Sequence, residues 1–413
     1  MKKVALSDIL FSFVIFVLMI QDLPPLFNIR LRFFSVLAFF IYMSIKKKFS
    51  IINDKNDILL ILGTVFFNTF SMLSIVWSNN FTVCLQYTFF LIFHSLVFLI
   101  VFFYLKEIKD IKFIFIPVFL SVITVQAVCI WEMKTFNHLP GSELYKYFLP
   151  VPTGTFYNRN MCAWMLILTS PAVLYWAFNS KIFLIKCLAW VSFFLNPIII
   201  VVQSARLAIF TFIIYFGIIF VIHFSRSKKI IFLATIILLL FMVILMLPKV
   251  TSLAFEYVKF QFESLRYENI SFKVNSLNIR KKLYIEGVEL FSENWFKGTG
   301  AGNFMDNVKF DTLVATLGTS APHNFILEII VSYGIIGIFL LFLIFIMTIT
   351  CFKKALMHIS SINYYTIAAY FMLNFFLLCI LPSTIMRFYA HHYIIFAVCL
   401  AIITRKEPKQ VYN

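Results

Sequence analysis

Long apolar runs alternate with short polar segments along nearly the whole chain. A helix needs roughly 20 apolar residues to cross a hydrocarbon core of about 30 Å. Runs near that length predict the transmembrane helices, and they lie at 4–21, 31–45, 58–77, 83–105, 113–131, 160–178, 184–203, 206–223, 230–247, 324–350, 362–381 and 388–404. The pattern therefore predicts an all-α membrane protein with about 12 transmembrane helices.

Basic residues are distributed unevenly between the two sides of this predicted membrane domain. Cytoplasmic loops of membrane proteins carry an excess of lysine and arginine. If the N-terminus is inside, most of the basic residues fall on the inner side, among them Lys46, Lys47, Lys48, Lys353 and Lys354. We therefore predict that both the N- and C-termini are cytoplasmic, and that the first apolar run is a retained helix and not a cleaved signal peptide.

Two outer segments are longer than simple turns. The smaller one covers 132–160, and the larger one covers 248–322 and has fewer apolar residues. Long segments between helices are usually functional. The predicted organisation is 1–247 with transmembrane helices 1–9 and the smaller loop, 248–322 as a large, partly helical loop, and 323–413 with transmembrane helices 10–12 and a cytoplasmic tail.

The large outer loop contains one segment with helical spacing. Within 279–293, Leu283, Gly287, Leu290 and Phe291 share one face. Asn278 is a plausible N-cap, which would place Arg280 in the first turn beside free backbone amides. The Gly298-Thr299-Gly300-Ala301-Gly302 run follows a helix and not a strand, so it favours a flexible helix end over nucleotide binding.

Composition narrows the protein class further. Apolar residues make up 62% of the 413 residues and charged residues only 13%, whereas soluble domains average near half and a quarter. The formal net charge of +17 is explained by basic inner loops, so no nucleic-acid partner is expected. The seven cysteines lie in or beside apolar runs without metal-ligand spacing, which favours small core residues over disulfides or zinc ligands.

The candidate residues for chemistry each have a plainer interpretation. His323 could act as a base toward a hydroxyl, or it could cap a helix at the membrane surface. Arg206 could hold a pyrophosphate or reach toward lipid phosphates. Arg280 could bind an anion or form part of a solvated charge run, and Arg159 could mark a helix end.

Asn324 and Glu328 are four residues apart and should share a helix face. A carboxylate inside an apolar run is costly, so Glu328 should face the bundle interior or a wet cavity. The alternative is that Glu328 is protonated, or bonded to Asn324 or Ser332, and only packs the helices. No protease, ATPase or metalloenzyme motif is present in the sequence, and no cofactor is expected.

Four motifs together resemble the O-antigen ligase and polymerase superfamily across roughly 150–350. All four are predicted on the outer side and they follow the family's order. The motifs are Gly154-Thr155-Phe156-Tyr157-Asn158-Arg159-Asn160, Ser204-Ala205-Arg206, the Arg280 helix leading to Gly298-Thr299-Gly300-Ala301-Gly302-Asn303-Phe304, and His323-Asn324 with Leu327-Glu328 and Gly334-Ile335-Ile336-Gly337.

The resemblance implies a metal-independent, inverting glycosyltransferase in the bacterial inner membrane, with its active site facing the periplasm. The donor would be an undecaprenyl-diphosphate-linked glycan. Arg206 and Arg280 would hold the diphosphate, His323 would activate the acceptor hydroxyl, and Asn324 and Glu328 would support the site. This chain has Asn158-Arg159-Asn160 where many relatives have Asn-Pro-Asn, and Arg159 could therefore join the diphosphate site.

Two activities fit this resemblance, and a transporter and a structural scaffold are the alternatives from other classes. An O-antigen ligase would transfer the glycan to lipid A-core, whereas a polymerase would join lipid-linked repeat units. A polysaccharide transporter would predict repeated halves and ionisable groups at the membrane midplane. A purely structural scaffold gives no reason for the charged outer loop. We expect the ligase activity, with the polymerase as the nearest alternative.

Overall fold

A computed structural model describes residues 5–20, 29–45, 55–107, 111–223, 276–316, 324–357, 362–379 and 390–405. These residues form helices and turns, and they contain no strand. Two 3-10 helices cover Ser74–Trp77 and Met305–Asn307. The α-helices are α1 (Leu6–Met19), α2 (Ile29–Ile45), α3 (Lys55–Leu73), α4 (Phe81–Glu107), α5 (Lys112–Thr135), α6 (Arg159–Asn179), α7 (Phe183–Val202), α8 (Arg206–His223), α9 (Ser276–Asn294), α10 (Phe310–Ala315), α11 (Phe325–Leu356), α12 (Tyr364–Leu378) and α13 (His391–Thr404).

Seven helices in the described part of the chain are long and apolar enough to cross a membrane, namely α3 with the 3-10 turn after it, α4, α5, α6, α7, α8 and α11. The helices α1, α12 and α13 are apolar but shorter. The described part of the chain is therefore all-helical, and the chain is a multi-pass membrane protein. The apolar run at 230–247 and much of the large outer loop lie outside the described residues, so the count of twelve spans and the placement of the termini stay predictions.

The helix α6 lies in the middle of the bundle. It contacts α5, α7, α8 and α12, and its residues from Met161 to Leu174 are buried. Helices at the periphery instead expose large apolar side chains, such as Leu59, Phe66 and Phe339. A helix that is apolar on all sides is suited to the core or to contact with lipid. These exposed side chains are suited to the hydrocarbon of a membrane.

The described part of the large outer loop packs against the beginning of α11. A separate apolar cluster joins α9, the segment around α10 and α11, and it contains Leu283, Leu290, Phe304, Val308, Leu327 and Val331. A side-chain carbon added at Gly287 would meet Leu327 Cδ2 at 2.6 Å. The predicted apolar face of this helix is therefore confirmed, and Gly287 allows α9 to approach α11 closely.

Polar contacts attach this outer unit, the described loop residues 276–316, to the turn between α3 and α4. Ser74 Oγ accepts a hydrogen bond from the Ala301 backbone N–H at 3.0 Å. The Asn80 backbone N–H donates to Asn303 Oδ1 at 2.8 Å, and the Asn80 side chain donates to Asp306 Oδ1 at 3.0 Å. The outer unit is thus attached to two parts of the membrane bundle, at α11 and at the start of α4.

The glycine run after α9 joins a break in α11. Gly334 adopts φ 57° and ψ −134°, so the helical hydrogen-bond ladder is interrupted there. The Val331 carbonyl, which would accept from the Ile335 N–H in an unbroken helix, instead accepts from the Thr299 N–H at 2.8 Å. The Ile335 N–H donates to the Phe296 carbonyl at 3.4 Å. Backbone groups released by the break are therefore paired with the glycine run.

The sequence prediction for this glycine run was half right. Gly298 does end the helix, because its N–H donates to the Asn294 carbonyl at 2.8 Å. The run is not a flexible end, however, since Gly298, Gly300 and Gly302 are buried and all three have positive φ. A side chain at Gly298 would overlap the backbone of Ser332. The run forms a tightly packed joint between α9 and α11.

We expect Gly334→Ala to lower the stability of the folded protein by about 1–3 kcal/mol, because only glycine adopts such dihedral angles at low cost. The added carbon would also lie 2.7 Å from the Phe296 carbonyl oxygen. The measurement is the thermal unfolding midpoint of the purified protein in detergent. Gly63→Ala is the matched control, since nothing lies within 4 Å of that position. Equal midpoints for both variants would contradict this account of the break.

Candidate functional site

Three of the residues predicted to carry chemistry lie at helix beginnings. Arg159 is the first residue of α6 and Arg206 is the first residue of α8. Asn324 is the N-cap of α11. His323, the predicted base, directly precedes Asn324 and lies outside the described residues. Its role therefore stays a prediction, while the beginning of α11 shows the frame to which it is attached.

Direct contacts bring these helix beginnings to one end of the bundle. The Gln203 side-chain amide donates to the Pro152 carbonyl at 3.0 Å and joins the turn before α8 to the loop before α6. The other contacts are between rings, with Phe156 and His391 at 5.7 Å and Phe325 and His392 at 6.2 Å between centroids. The starts of α6, α8, α11 and α13 therefore lie together, as the predicted topology requires.

The loop before α6 positions Arg159. The Asn158 side chain accepts a hydrogen bond from the Met161 N–H at 3.0 Å and caps α6. The Glu143 N–H donates to the Tyr157 carbonyl at 2.8 Å. Burial raises the pKa of the Glu143 carboxyl, and the nearby charge of Arg159 partly offsets this by lowering it. Arg159 thus lies at a capped helix start with an acidic group close by.

Glu132, at the end of α5, organises this loop and was not among the predicted site residues. Its carboxylate is fully buried. It accepts hydrogen bonds from the Gly154 N–H at 2.6 Å, the Thr153 N–H at 2.8 Å and the Thr153 hydroxyl at 3.0 Å. His138 Nδ1 also lies 3.0 Å from Glu132 Oε1. A carboxylate at the edge of an apolar run, followed by histidine and threonine, is the signal that could have identified it.

We expect Glu132→Ala to lower stability by about 3–5 kcal/mol, because several buried donors would lose their acceptor at once. Glu132→Gln keeps the shape and one acceptor oxygen, so a smaller loss is expected. Glu143→Ala serves as the matched control, since that residue is only partly buried and accepts none of the hydrogen bonds that Glu132 accepts. The measurement is the thermal unfolding midpoint in detergent. A Glu132→Ala midpoint equal to that of Glu143→Ala would show that the buried network does not hold the loop.

The turn between α7 and α8 presents Arg206. Helix α7 ends at Val202, and the Gln203 N–H donates to the Ile199 carbonyl at 2.9 Å. Ser204 then adopts a left-handed backbone conformation with φ 54°. This reverses the chain so that Arg206 can begin α8, where it is exposed at the bundle end. An exposed guanidinium at a helix start is able to meet an anionic ligand.

Arg280 lies elsewhere in its helix than the sequence predicts. Helix α9 begins at Ser276, so Asn278 lies inside the helix and is not its N-cap. Arg280 is the fifth residue, and its N–H lies beyond the first four that lack helical partners. The predicted start was wrong because Ser276 to Asn278 contain no glycine or proline and continue the helix. The free amides at this end therefore belong to residues before Arg280.

Arg280 nevertheless lies on the stripe of α9 that faces α11. It is seven residues before Gly287, and that spacing returns to nearly the same face. Contacts of Gly287 with Leu327 and of Gly298 with Ser332 show that α9 and α11 run in the same direction. Arg280 is therefore about 10 Å back along the axis from Gly287. This position lies past the N-terminal end of α11.

Asn324 and Glu328 have separate structural roles. Asn324 Oδ1 accepts a hydrogen bond from the Leu327 N–H at 3.1 Å, so it caps α11. Glu328 is buried, and the Tyr87 hydroxyl donates to its Oε1 at 3.3 Å. Ser332 Oγ has no hydrogen-bond partner among the described residues, so the alternative in which Glu328 bonds to Ser332 is not seen there. Glu328 instead joins α11 to α4 across the bundle, as its interior position predicts.

Most of the cysteines are buried, and so are the two histidines at the start of α13. All seven cysteines are free thiols and six of them are buried, as predicted for small core residues. His391 and His392 are buried, and His391 Nε2 lies 2.9 Å from the Met19 carbonyl. Within the part of the chain that the structure describes, no group of three or more metal-ligating side chains is placed to hold an ion.

Comparison with known proteins identifies one family. Residues 191–343 match the family model described as O-antigen ligase. A comparison with curated proteins found no match. The matched segment contains Arg206, Arg280, His323, Asn324 and Glu328, whereas Arg159 lies before it. The match supports the O-antigen ligase and polymerase superfamily, which confirms the resemblance that the four motifs indicate.

Proposed function

We propose, on the basis of this membership of the O-antigen ligase and polymerase superfamily, that the chain is an O-antigen ligase. It transfers a glycan from undecaprenyl diphosphate to a sugar hydroxyl of lipid A-core. The reaction takes place at the periplasmic side of the bacterial inner membrane. The observation that carries the proposal is that residues 191–343 match the family and contain the two arginines and the histidine that the chemistry requires.

The reaction needs a base on one side of the anomeric carbon and an anion site on the other. The acceptor oxygen attacks the anomeric carbon, the carbon–oxygen bond to the diphosphate breaks, and the configuration inverts. His323 takes the proton of the acceptor hydroxyl. The bond electrons leave with the diphosphate, which Arg206 and Arg280 stabilise, so the products are the glycosylated acceptor and undecaprenyl diphosphate.

The positions of the arginines support this division of roles. Arg206 is exposed at the start of α8, and Arg280 lies on the α11-facing stripe of α9 beyond the first turn of α11. Arg159, at the start of α6, is joined to the Arg206 turn through the bond between Gln203 and Pro152. Guanidinium groups offer paired donors that match phosphate oxygens. Fixed positive charges can stabilise a leaving diphosphate, so the proposal requires no metal ion.

Glu328 and Asn324 act through the helix that follows His323. Asn324 caps α11, and the Phe325 N–H donates to the Cys379 carbonyl at 2.8 Å, which ties the start of α11 to the end of α12. Glu328 joins α11 to α4 through Tyr87. A catalytic group must be held within a fraction of an ångström of its working geometry. We assign Asn324 and Glu328 this supporting role.

The nearest alternative is a polymerase of the same superfamily, which would use the same donor chemistry with a second lipid-linked repeat unit as acceptor. A strain that lacks this gene distinguishes the two activities by its lipopolysaccharide gel profile and its undecaprenyl-linked glycans. Bare core with accumulated long lipid-linked polymer supports the ligase. Core that carries a single repeat unit without a ladder identifies the polymerase. An unchanged profile would overturn both and favour another glycan or a transporter.

A further inference from the structure

Three buried oxygen atoms without hydrogen-bond partners lie in the two segments that carry Arg159 and Arg206. They are Thr155 Oγ1, Gln203 Oε1 and Ser204 Oγ, and none has a partner among the described residues. Thr155 is 1% exposed and Gln203 is 0% exposed. Buried polar atoms in native proteins nearly always have partners, so each exception requires an explanation.

The network next to these atoms is well paired. Glu132 accepts hydrogen bonds from Thr153 and Gly154, immediately before Thr155. The Gln203 amide nitrogen is also satisfied, because it donates to the Pro152 carbonyl at 3.0 Å. That bond holds the two segments together. The three unpaired oxygens therefore lie in two segments that this bond joins.

Ser204 adds an independent observation, because its backbone conformation suits a different residue. Its φ of 54° is in the left-handed region, and the residue that follows a helix in this conformation is usually glycine. A residue with a side chain is unfavourable in this conformation unless the side chain forms a compensating interaction. Asparagine or serine can gain a local hydrogen bond, but Ser204 Oγ makes none with the described residues. The structure itself gives the serine hydroxyl no role.

The chemistry of the three atoms indicates what could pair with them. Gln203 Oε1 can only accept hydrogen bonds, and the two hydroxyls can both accept and donate. Gln203 Oε1 would repel a phosphate oxygen, so the three atoms together do not complete a diphosphate site, although the two hydroxyls could donate to one. They match a ligand rich in hydroxyl or amide N–H donors, which describes a sugar. Arg206, two residues after Ser204, would hold the anion to which that sugar is attached.

We infer that Thr155, Gln203 and Ser204 form a subsite for the first sugar of the donor, the one bonded to the diphosphate. This inference rests on the proposed function and adds to it the residues that recognise this sugar. Hydrogen bonds from the subsite orient the ring, so that its anomeric carbon faces the acceptor while the diphosphate remains at the arginines. Ser204 and Thr155 contact the sugar directly, and Gln203 also positions the loop through Pro152.

The test compares two lipids, undecaprenyl diphosphate carrying a single N-acetylhexosamine and undecaprenyl diphosphate without a sugar. The affinity of each lipid for the purified protein is measured by its stabilisation against thermal unfolding. We expect Ser204→Gly to bind the sugar-bearing lipid about tenfold more weakly, the loss of roughly one hydrogen bond. Its affinity for the sugar-free lipid should be unchanged, and its own unfolding midpoint should rise because glycine relieves the backbone strain.

Thr155→Val is the second variant, and it keeps the shape of the side chain while removing an unpaired hydroxyl. It should fold with undiminished stability and show the same selective loss. Arg206→Ala should weaken binding of both lipids. If Ser204→Gly and Thr155→Val bind the sugar-bearing lipid as the wild type does, or lose both lipids equally, the subsite is overturned and the proposed function stands. If the wild type binds neither lipid, both fall together.

Discussion

Arg206→Ala and Arg280→Ala are each expected to lower the rate of glycan transfer by about 100- to 1000-fold, while the amount of protein in the membrane stays the same. Removing one fixed group that stabilises developing negative charge typically has an effect of this size. Arg206 begins α8 at the end of the bundle where α6 and α11 also begin, and Arg280 lies on the stripe of α9 that faces α11. The measurement is the rate of product formation from a lipid-linked donor at saturating acceptor.

Lys281→Ala is the matched control for these variants, because Lys281 is exposed on α9 directly beside Arg280. It removes one positive charge from the adjacent position of the same helix and should retain near wild-type activity. Arg206→Lys separates charge from geometry, since lysine keeps the charge but loses the planar pair of donors. We expect it to remain well below wild type. Equal losses in Lys281→Ala and Arg280→Ala would mean that only the general charge of the surface matters.

His323→Ala is expected to reduce the turnover number by about 100- to 10,000-fold, the usual contribution of a positioned general base. The donor affinity should remain near the wild-type value, because the arginines and not the histidine hold the diphosphate. The measurement is the separate determination of turnover number and donor affinity, together with the thermal unfolding midpoint. The midpoint should not fall, since Asn324 and not His323 caps α11.

Two outcomes would contradict the role given to His323. Full turnover in His323→Ala would remove the base assignment. A parallel loss of donor affinity and turnover would place the histidine in the donor site instead. Asn324→Ala provides a structural comparison, because it removes the helix cap and should cost about 1 kcal/mol of stability.

The seven described helices long enough to cross a membrane could be predicted from the sequence, because apolar run length is a direct physical requirement for crossing a membrane. The apolar face of α9 could also be predicted, since Leu283 and Leu290 follow the helical period. The start of α9 could not be fixed, because a plausible capping residue such as Asn278 is also compatible with the helix interior. That difference moved Arg280 out of the first turn.

The joint between the glycine run and Gly334 could not be predicted because it depends on contacts distant in sequence. Gly298 reads as an ordinary helix terminator, and only the approach of the Ser332 backbone shows why no side chain fits there. The same applies to Glu132, whose donors come from Thr153 and Gly154 about twenty residues later. Local patterns carry no information about which buried groups will meet.

The supporting residues differ in how far the sequence could define their roles. Glu328 was expected inside the bundle, and its burial and its bond with Tyr87 agree with that expectation. Its partner on α4 had no signal in the sequence, because tyrosine is common in apolar runs. The sequence marks Ser204 only as part of the Arg206 motif. Its positive φ and its unpaired hydroxyl needed the folded chain.

Transfer by the purified protein in liposomes tests the central claim most directly. The liposomes contain an undecaprenyl-diphosphate-linked glycan and lipid A-core, and a metal chelator is present throughout. We expect that glycan appears on lipid A-core, that undecaprenyl diphosphate is released in equal amount, and that Arg206→Ala lowers the rate of both by about 100- to 1000-fold. Absence of transfer by the wild type would contradict the proposed function, and transfer that stops on chelation would contradict stabilisation of the leaving group by arginines alone.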